Sequence, residues 1–101
     1  MRVYVPDLGT NARIVSHAGR YYRLLVKHPE RGYEVVTRHS DVCSPLRESD
    51  VEEFLRLWRD DPKALGYKHG AKLRAAVLLR DAGRPVPRRF AAMIAELEKL
   101  V

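Results

Sequence analysis

The spacing of apolar residues changes period once along this chain, and that change limits the folds open to it. Up to His39 the apolar residues fall in short alternating runs, at 2–5, 12–16, 21–27 and 33–39, separated by Gly-, Pro-, Asn- and Asp-containing turns. Alternation with period two marks strands. The gaps hold only a handful of residues, whereas a parallel crossover needs about a dozen, so neighbouring strands must run antiparallel. From Ser49 the period becomes helical: Val51, Phe54, Leu55 and Trp58 stand at i, i+3, i+4 and i+7, and Ser49 with Glu52 predicts a capping box.

Asp61-Pro62 predicts the N-cap and first position of a second helix. Gly66 and Gly70 each weaken a helix by about 1 kcal/mol relative to Ala, so a loop or broken helix is expected over 63–70, before a helix over 71–82 capped by Gly83. Arg84-Pro-Val-Pro87 reads as a stiff connector. The last helix is expected from Pro87, with Phe90, Met93, Ile94, Leu97 and Val101 as its apolar stripe. Strands followed by helices argue for an α+β fold. The expectation is an N-terminal antiparallel meander of three to four strands followed by three helices packed on one face. It forms a single domain over 1–101, with the sheet in 1–39 and the helical part in 49–101.

In the third run, Tyr22, Leu24 and Val26 oppose Tyr21, Arg23, Leu25 and Lys27. The Leu24 and Val26 side is the core candidate, which leaves Arg23 and Lys27 towards water. Tyrosines in strands ordinarily pack in the core, and at least two of Tyr4, Tyr21, Tyr22 and Tyr33 are expected there. Interleaved with Arg20 and Arg23, they could also form a stacking platform for a single strand.

Charge is segregated along the chain. The net charge is +6, and residues 63–89 hold eight Lys or Arg against one acid, Asp81, while residues 47–61 hold six acids against three arginines. Such segregation suggests a basic surface aimed at an anionic partner. The candidate contacts are Lys68, Lys72, Arg74, Arg84, Arg88 and Arg89, with Tyr67 in the unusual Gly66-Tyr-Lys-His-Gly-Ala-Lys72 stretch as a stacking residue. Arg20, Arg23 and Lys27 are secondary candidates. Helix N-termini at Gly70-Ala71 and Pro87-Arg88 could add phosphate-binding amides. Against this stands the reading in which these cations only solvate helix faces or pair with Asp60, Asp61 or Glu96.

Other classes find little support. His39 and Cys43 have no second close pair to complete a four-ligand zinc site. Cys43 has no adjacent base to activate it and reads as a packing residue. The acids over 48–53 are what a helix start favours electrostatically. No catalytic residues, metal, cofactor or enzyme activity are expected. No apolar run reaches the 18 to 20 or so residues of a membrane span. A lone cysteine and no signal peptide imply a cytoplasmic protein. At this size only about 60–65% of the unfolded surface is buried, so a homodimer is a reasonable supplement to stability.

A three-stranded antiparallel sheet bearing arginine and followed by a helix resembles, in architecture alone, the sheet-reading DNA-binding domains of plant ethylene-response factors and phage integrase arms. No motif of those families matches here residue by residue. Residues 78–90, Leu-Leu-Arg-Asp-Ala-Gly-Arg-Pro-Val-Pro-Arg-Arg-Phe, are similar to segments of small phage and mobile-element proteins of GC-rich bacteria. The reading is therefore a small non-enzymatic binding module whose basic surface contacts nucleic-acid backbone. The alternative is a protein-interaction or inhibitory factor, phage-encoded on the likeness of that segment, which docks its basic face on an acidic partner with an exposed Tyr or Trp58 as anchor.

Overall fold

Four antiparallel strands in the order β1-β2-β3-β4 open the computed structural model, which describes residues 1–100. They are β1 (Arg2–Val5), β2 (Thr10–Ala18), β3 (Tyr21–His28) and β4 (Gly32–His39). A 3-10 turn at Ser40–Val42 leads to α1 (Glu48–Asp60), a second 3-10 turn at Pro62–Ala64 to α2 (Tyr67–Asp81), and a proline-bounded connector to α3 (Arg88–Lys99). The expected α+β order of a meander followed by three helices is present, with four strands.

The turns explain the meander. Ala18 pairs with Tyr21 across a two-residue loop, and Gly19 takes φ +60° there; a glycine in the first loop position matches the right-handed twist of the flanking strands. In the next hairpin His28 Nδ1 accepts the backbone N–H of both Glu30 and Arg31, each at 3.2 Å.

The sheet is strongly coiled. Asp7 follows β1 and Arg38 lies in β4, at opposite edges of the sheet, which in a flat sheet stand about 14 Å apart. Arg38 Nη2 nevertheless donates to Asp7 Oδ2 at 2.9 Å. Two devices bring the edges together. Val15 is an extra residue in β2, because Ile14 pairs with Leu24 and Ser16 with Arg23, and a bulge of this kind sharpens the twist. Beyond β4 the chain crosses to the free edge of β1, where Tyr4 N–H donates to Ser44 O and Ser44 N–H to Tyr4 O, both at 2.8 Å. The concave side holds Val3, Val5, Ala12, Leu24, Val26 and Cys43, with Ile14, Tyr22 and Val36 packed against them. Leu24 and Val26 form core as their alternation predicts.

The helices build a second cluster from Leu46, Val51, Phe54, Ala76, Phe90, Met93 and Ile94. Two clusters account for the elongated shape, 41 × 28 × 21 Å, with a radius of gyration of 14.9 Å against about 13 Å for a compact chain of this length. The two parts are tied by the Tyr4–Ser44 bridge, by Glu48 N–H on Asn11 Oδ1 (3.3 Å) and by Arg84 Nη2 on Ser40 O (3.1 Å).

Several expected boundaries move. The capping box of α1 is not Ser49 with Glu52. Arg47 is the N-cap, and its N–H donates to Asp50 Oδ2 at 2.9 Å, because that carboxylate also has a cationic neighbour to hold it inward. Asp61-Pro62 opens only the 3-10 turn. The expected break over 63–70 is short, since α2 already starts at Tyr67 and carries Gly70 inside its first turn. Its end follows expectation: Gly83 has φ +71°, its N–H donates to Arg80 O and that of Arg84 to Leu79 O, the paired bonds of a Schellman cap. Pro87 is the N-cap of α3 and not its first residue. Val101, the last residue of the expected stripe, lies outside the described residues.

Candidate nucleic-acid interface

The basic segment and the acidic helix, separate along the chain, meet in space. α1 begins with acids, and α2 and α3 both present cations to it. Lys72 Nζ lies 2.9 Å from Asp50 Oδ1 and 3.1 Å from Glu53 Oε2. Arg89 Nη1 lies 3.2 Å from Glu52 Oε1. Gly66 N–H donates to His69 Nδ1 at 3.4 Å, which leaves the proton on Nε2, and Nε2 donates to Glu53 Oε1 at 3.2 Å. At the other end of α2, Arg80 bridges Asp81 (3.2 Å) and Glu98 (2.7 Å).

The titration of these groups follows from the contacts. Burial pushes the Asp50 carboxyl up, but the hydrogen bond from Lys72, the Arg47 N–H and the charges of both residues outweigh it and leave the group below its ordinary range. Hydrogen bonds from His69 and Lys72 lower Glu53. The Asp50 hydrogen bond raises Lys72 above its ordinary value despite burial. Lys72 is thus the central strut between α1 and α2, and its ammonium is already occupied.

The remaining candidates divide. Arg84 is engaged with Ser40 O. Lys68, Arg74 and Arg88 are exposed and have no acidic partner among the described residues. Tyr67, the first residue of α2, is 86% exposed. The expected amide site at Gly70-Ala71 does not exist as such, since Gly70 N–H is bonded to Gly66 O within the helix. The expected pairing of the run with Asp60, Asp61 or Glu96 is replaced by pairing with Asp50, Glu52, Glu53, Asp81 and Glu98.

The convex face of the sheet is different. Alternation places Arg2, Arg13, Arg23 and Lys27 on it, all exposed, and none has an acidic partner within 4 Å among the described residues. The strand positions that share this face include no Asp or Glu: Glu34, opposite Val26, is on the concave side. Tyr33 (69% exposed) and Tyr21 (55%) stand on the same face, with Leu25 and Val35 between them. Tyr21 is held edge-on by His39, ring centroids 5.0 Å apart. Of the four strand tyrosines, Tyr4 is buried and Tyr22 half-buried, as expected of two of them, while the other two are not core. Arg20 is exposed at the β2–β3 turn, at the end of this face.

Between β1 and β4 the convex face carries a hollow of about 360 Å³ lined by Arg2, Asn11, Arg13, Leu25, Lys27 and Tyr33. Glu48 reaches this region through its backbone N–H on Asn11, and among the described residues no acidic side chain lines the hollow. Arg2 and Arg13 are not among the sequence candidates, although the alternation that places Arg23 and Lys27 outward places them there too once β1 and β2 are paired.

Three of the four histidines use Nδ1 to accept backbone N–H groups: His28, His39 and His69. Among the described residues no group of three or more His, Cys, Asp or Glu is placed to hold a metal ion. Cys43 is buried, and burial raises its thiol above the ordinary value. No helix among the described residues is long and apolar enough to cross a membrane. Compared with protein-family models, curated proteins and solved structures, the chain matches none of them.

Proposed function

We propose that this protein is a nucleic-acid-binding module that meets the phosphate backbone with the convex face of its sheet, through Arg2, Arg13, Arg23 and Lys27. The observation that carries the reading is the absence of acids from that face, against the close neutralisation of Lys72 and Arg89 on the helices. Four unpaired cations on one surface create a local positive potential that net charge alone does not reveal. Arg20 extends the surface at one end, and Lys68, Arg74 and Arg88 remain as auxiliary contacts.

The test is the salt dependence of binding to a fluorescently labelled oligonucleotide. Each neutralised phosphate contributes about 0.7–0.9 to the slope of log affinity against log salt. Arg13→Ala and Arg23→Ala are each expected to reduce the slope by about one contact, and Arg89→Ala to leave it unchanged. Negligible binding at about 50 mM salt, where contacts of this kind are strong, would overturn the reading.

A protein partner is the second reading, favoured by Trp58. Its ring is half exposed while stacked on Phe54, centroids 6.0 Å apart, and it borders a hollow lined also by Leu55, Met93, Leu97 and Leu100, with Glu96 at its side. A half-open tryptophan of this kind is a common interface anchor. In that reading an acidic partner meets the same cationic face.

A further inference from the structure

We propose that the hollow on the convex face is a pocket for one nucleotide of a single strand, with the base stacked on Tyr33 above Leu25 and the phosphate held by Arg2, Arg13 and Lys27. The inference rests on the nucleic-acid reading above and adds the kind of strand and the place of one base.

The first support is electrostatic. Arg2 and Arg13 are direct cross-strand partners, and like charges in that relation destabilise a sheet. No acid within 4 Å relieves them among the described residues, and Lys27 lines the same hollow. Folding gains nothing from three cations around one depression. A phosphate removes the repulsion, and two guanidinium groups offer it paired, planar donor sets.

The second support is Tyr33. An aromatic residue in a strand normally earns its place by packing, yet this one is 69% exposed and forms a wall of the hollow. An open ring face beside a cationic site suits base stacking. Leu25, half-buried in the adjacent strand, supplies an apolar floor. The hollow, about 360 Å³, falls within the range of roughly 300–1,000 Å³ common for small-molecule sites.

A single strand is required because a duplex hides its base faces in its own stack and presents only edges and backbone. The rest of the face continues a strand path. Tyr33 pairs with Lys27 and Tyr21 with His39, so the two exposed rings lie six residues apart along the ladder, about 20 Å. Arg23 lies between them. Three or so extended nucleotides, at about 6–7 Å each, span that distance in a groove-tracking mode.

The experiment compares a labelled oligothymidylate of about eight nucleotides with a duplex containing the same strand, by fluorescence anisotropy at low salt. The single strand is expected to bind at least about tenfold more tightly. Tyr33→Ala should weaken single-strand binding by about tenfold, within the span measured for lost base stacking, while Tyr33→Phe stays near wild type and duplex binding does not change. Tyr33 is exposed, and circular dichroism checks that both variants keep the fold. Equal affinity for the two forms with no effect of Tyr33→Ala overturns the pocket and leaves backbone binding standing. Failure of both oligonucleotides to bind overturns both. Displacement by polyglutamate at the same charge concentration as by oligothymidylate, indifferent to Tyr33→Ala, assigns the face to an acidic protein and also overturns the pocket.

Discussion

Lys72→Met is expected to destabilise the protein by about 2–3 kcal/mol, read as a lower urea midpoint, while leaving nucleic-acid affinity of the folded protein unchanged. Asp50 is 6% exposed and Lys72 Nζ lies 2.9 Å from it, so removing the ammonium strands a buried carboxylate. Breaking a fully buried pair costs about 3–5 kcal/mol. The value is set lower here because Arg47 Nη2 remains 3.6 Å from Asp50. The double variant Lys72→Met, Asp50→Asn is expected to recover most of the loss, since the amide oxygen still accepts the Arg47 N–H and no buried charge is left behind, the Glu53 carboxylate being partly exposed. A single variant within about 0.5 kcal/mol of wild type, the range of neutral surface changes, would refute the strut.

The same network sets the response to acid. Asp50 and Glu53 both titrate below their ordinary values of 3.8 and 4.5. The unfolded chain therefore binds protons at higher pH than the folded one. The stabilisation is fully present above those ordinary values and is lost as pH falls through the lower folded ones. Lys72→Met removes a cause of both depressions and leaves burial acting on Asp50, so the variant should lose less stability than wild type as pH falls below about 4.5. Parallel acid-denaturation profiles would contradict it.

Phe90→Ala is expected to cost about 3–5 kcal/mol, the usual price of emptying a buried phenylalanine site. Phe90 is fully buried at the first turn of α3, with its ring centroid 6.3 Å from that of Phe54. Because Phe54 stacks on Trp58, tryptophan emission reports this cluster directly. For a domain of this size each kcal/mol moves the thermal midpoint by about 4–8 °C, so a drop of more than about 12 °C is expected. The sheet has its own cluster around Leu24, and tyrosine near-ultraviolet dichroism follows that part separately. A midpoint within a few degrees of wild type would show that Phe90 is not central to the helical cluster.

Local signals were legible where the chemistry is local. Alternation over 21–27 placed Leu24 and Val26 inward and Arg23 and Lys27 outward, because successive side chains in a strand must point to opposite faces. Gly83 announced the end of α2 because its positive φ is costly for any residue with a Cβ. The cap of α1 lies two residues before the Ser49 that the pattern predicts. Ser49 with Glu52 satisfies the pattern, but Asp50 wins the role because Lys72, 22 positions further on, meets its carboxylate from α2. Gly70 does not break the helix: tertiary packing of α2 outweighs about 1 kcal/mol of intrinsic cost.

The candidate site shows the same division. The exposure of Arg23 and Lys27 could be read from strand periodicity, and that of Arg2 and Arg13 could have been by the same rule. Which cations remain unpaired could not. Charge counted along the chain treats the basic stretch over 63–89 and the acidic stretch over 47–61 as separate surfaces, whereas packing α2 and α3 against α1 pairs Lys72 and Arg89 with Asp50, Glu52 and Glu53 and leaves Lys68, Arg74 and Arg88 without an acidic partner among the described residues. By itself the sequence determined the element types, the meander and the sign of the net charge, since these depend on periodicity, turn chemistry and composition. Tertiary structure decided where that charge is available, because Coulomb partners are selected by distance in space and a few ångströms separate an occupied lysine from an open one.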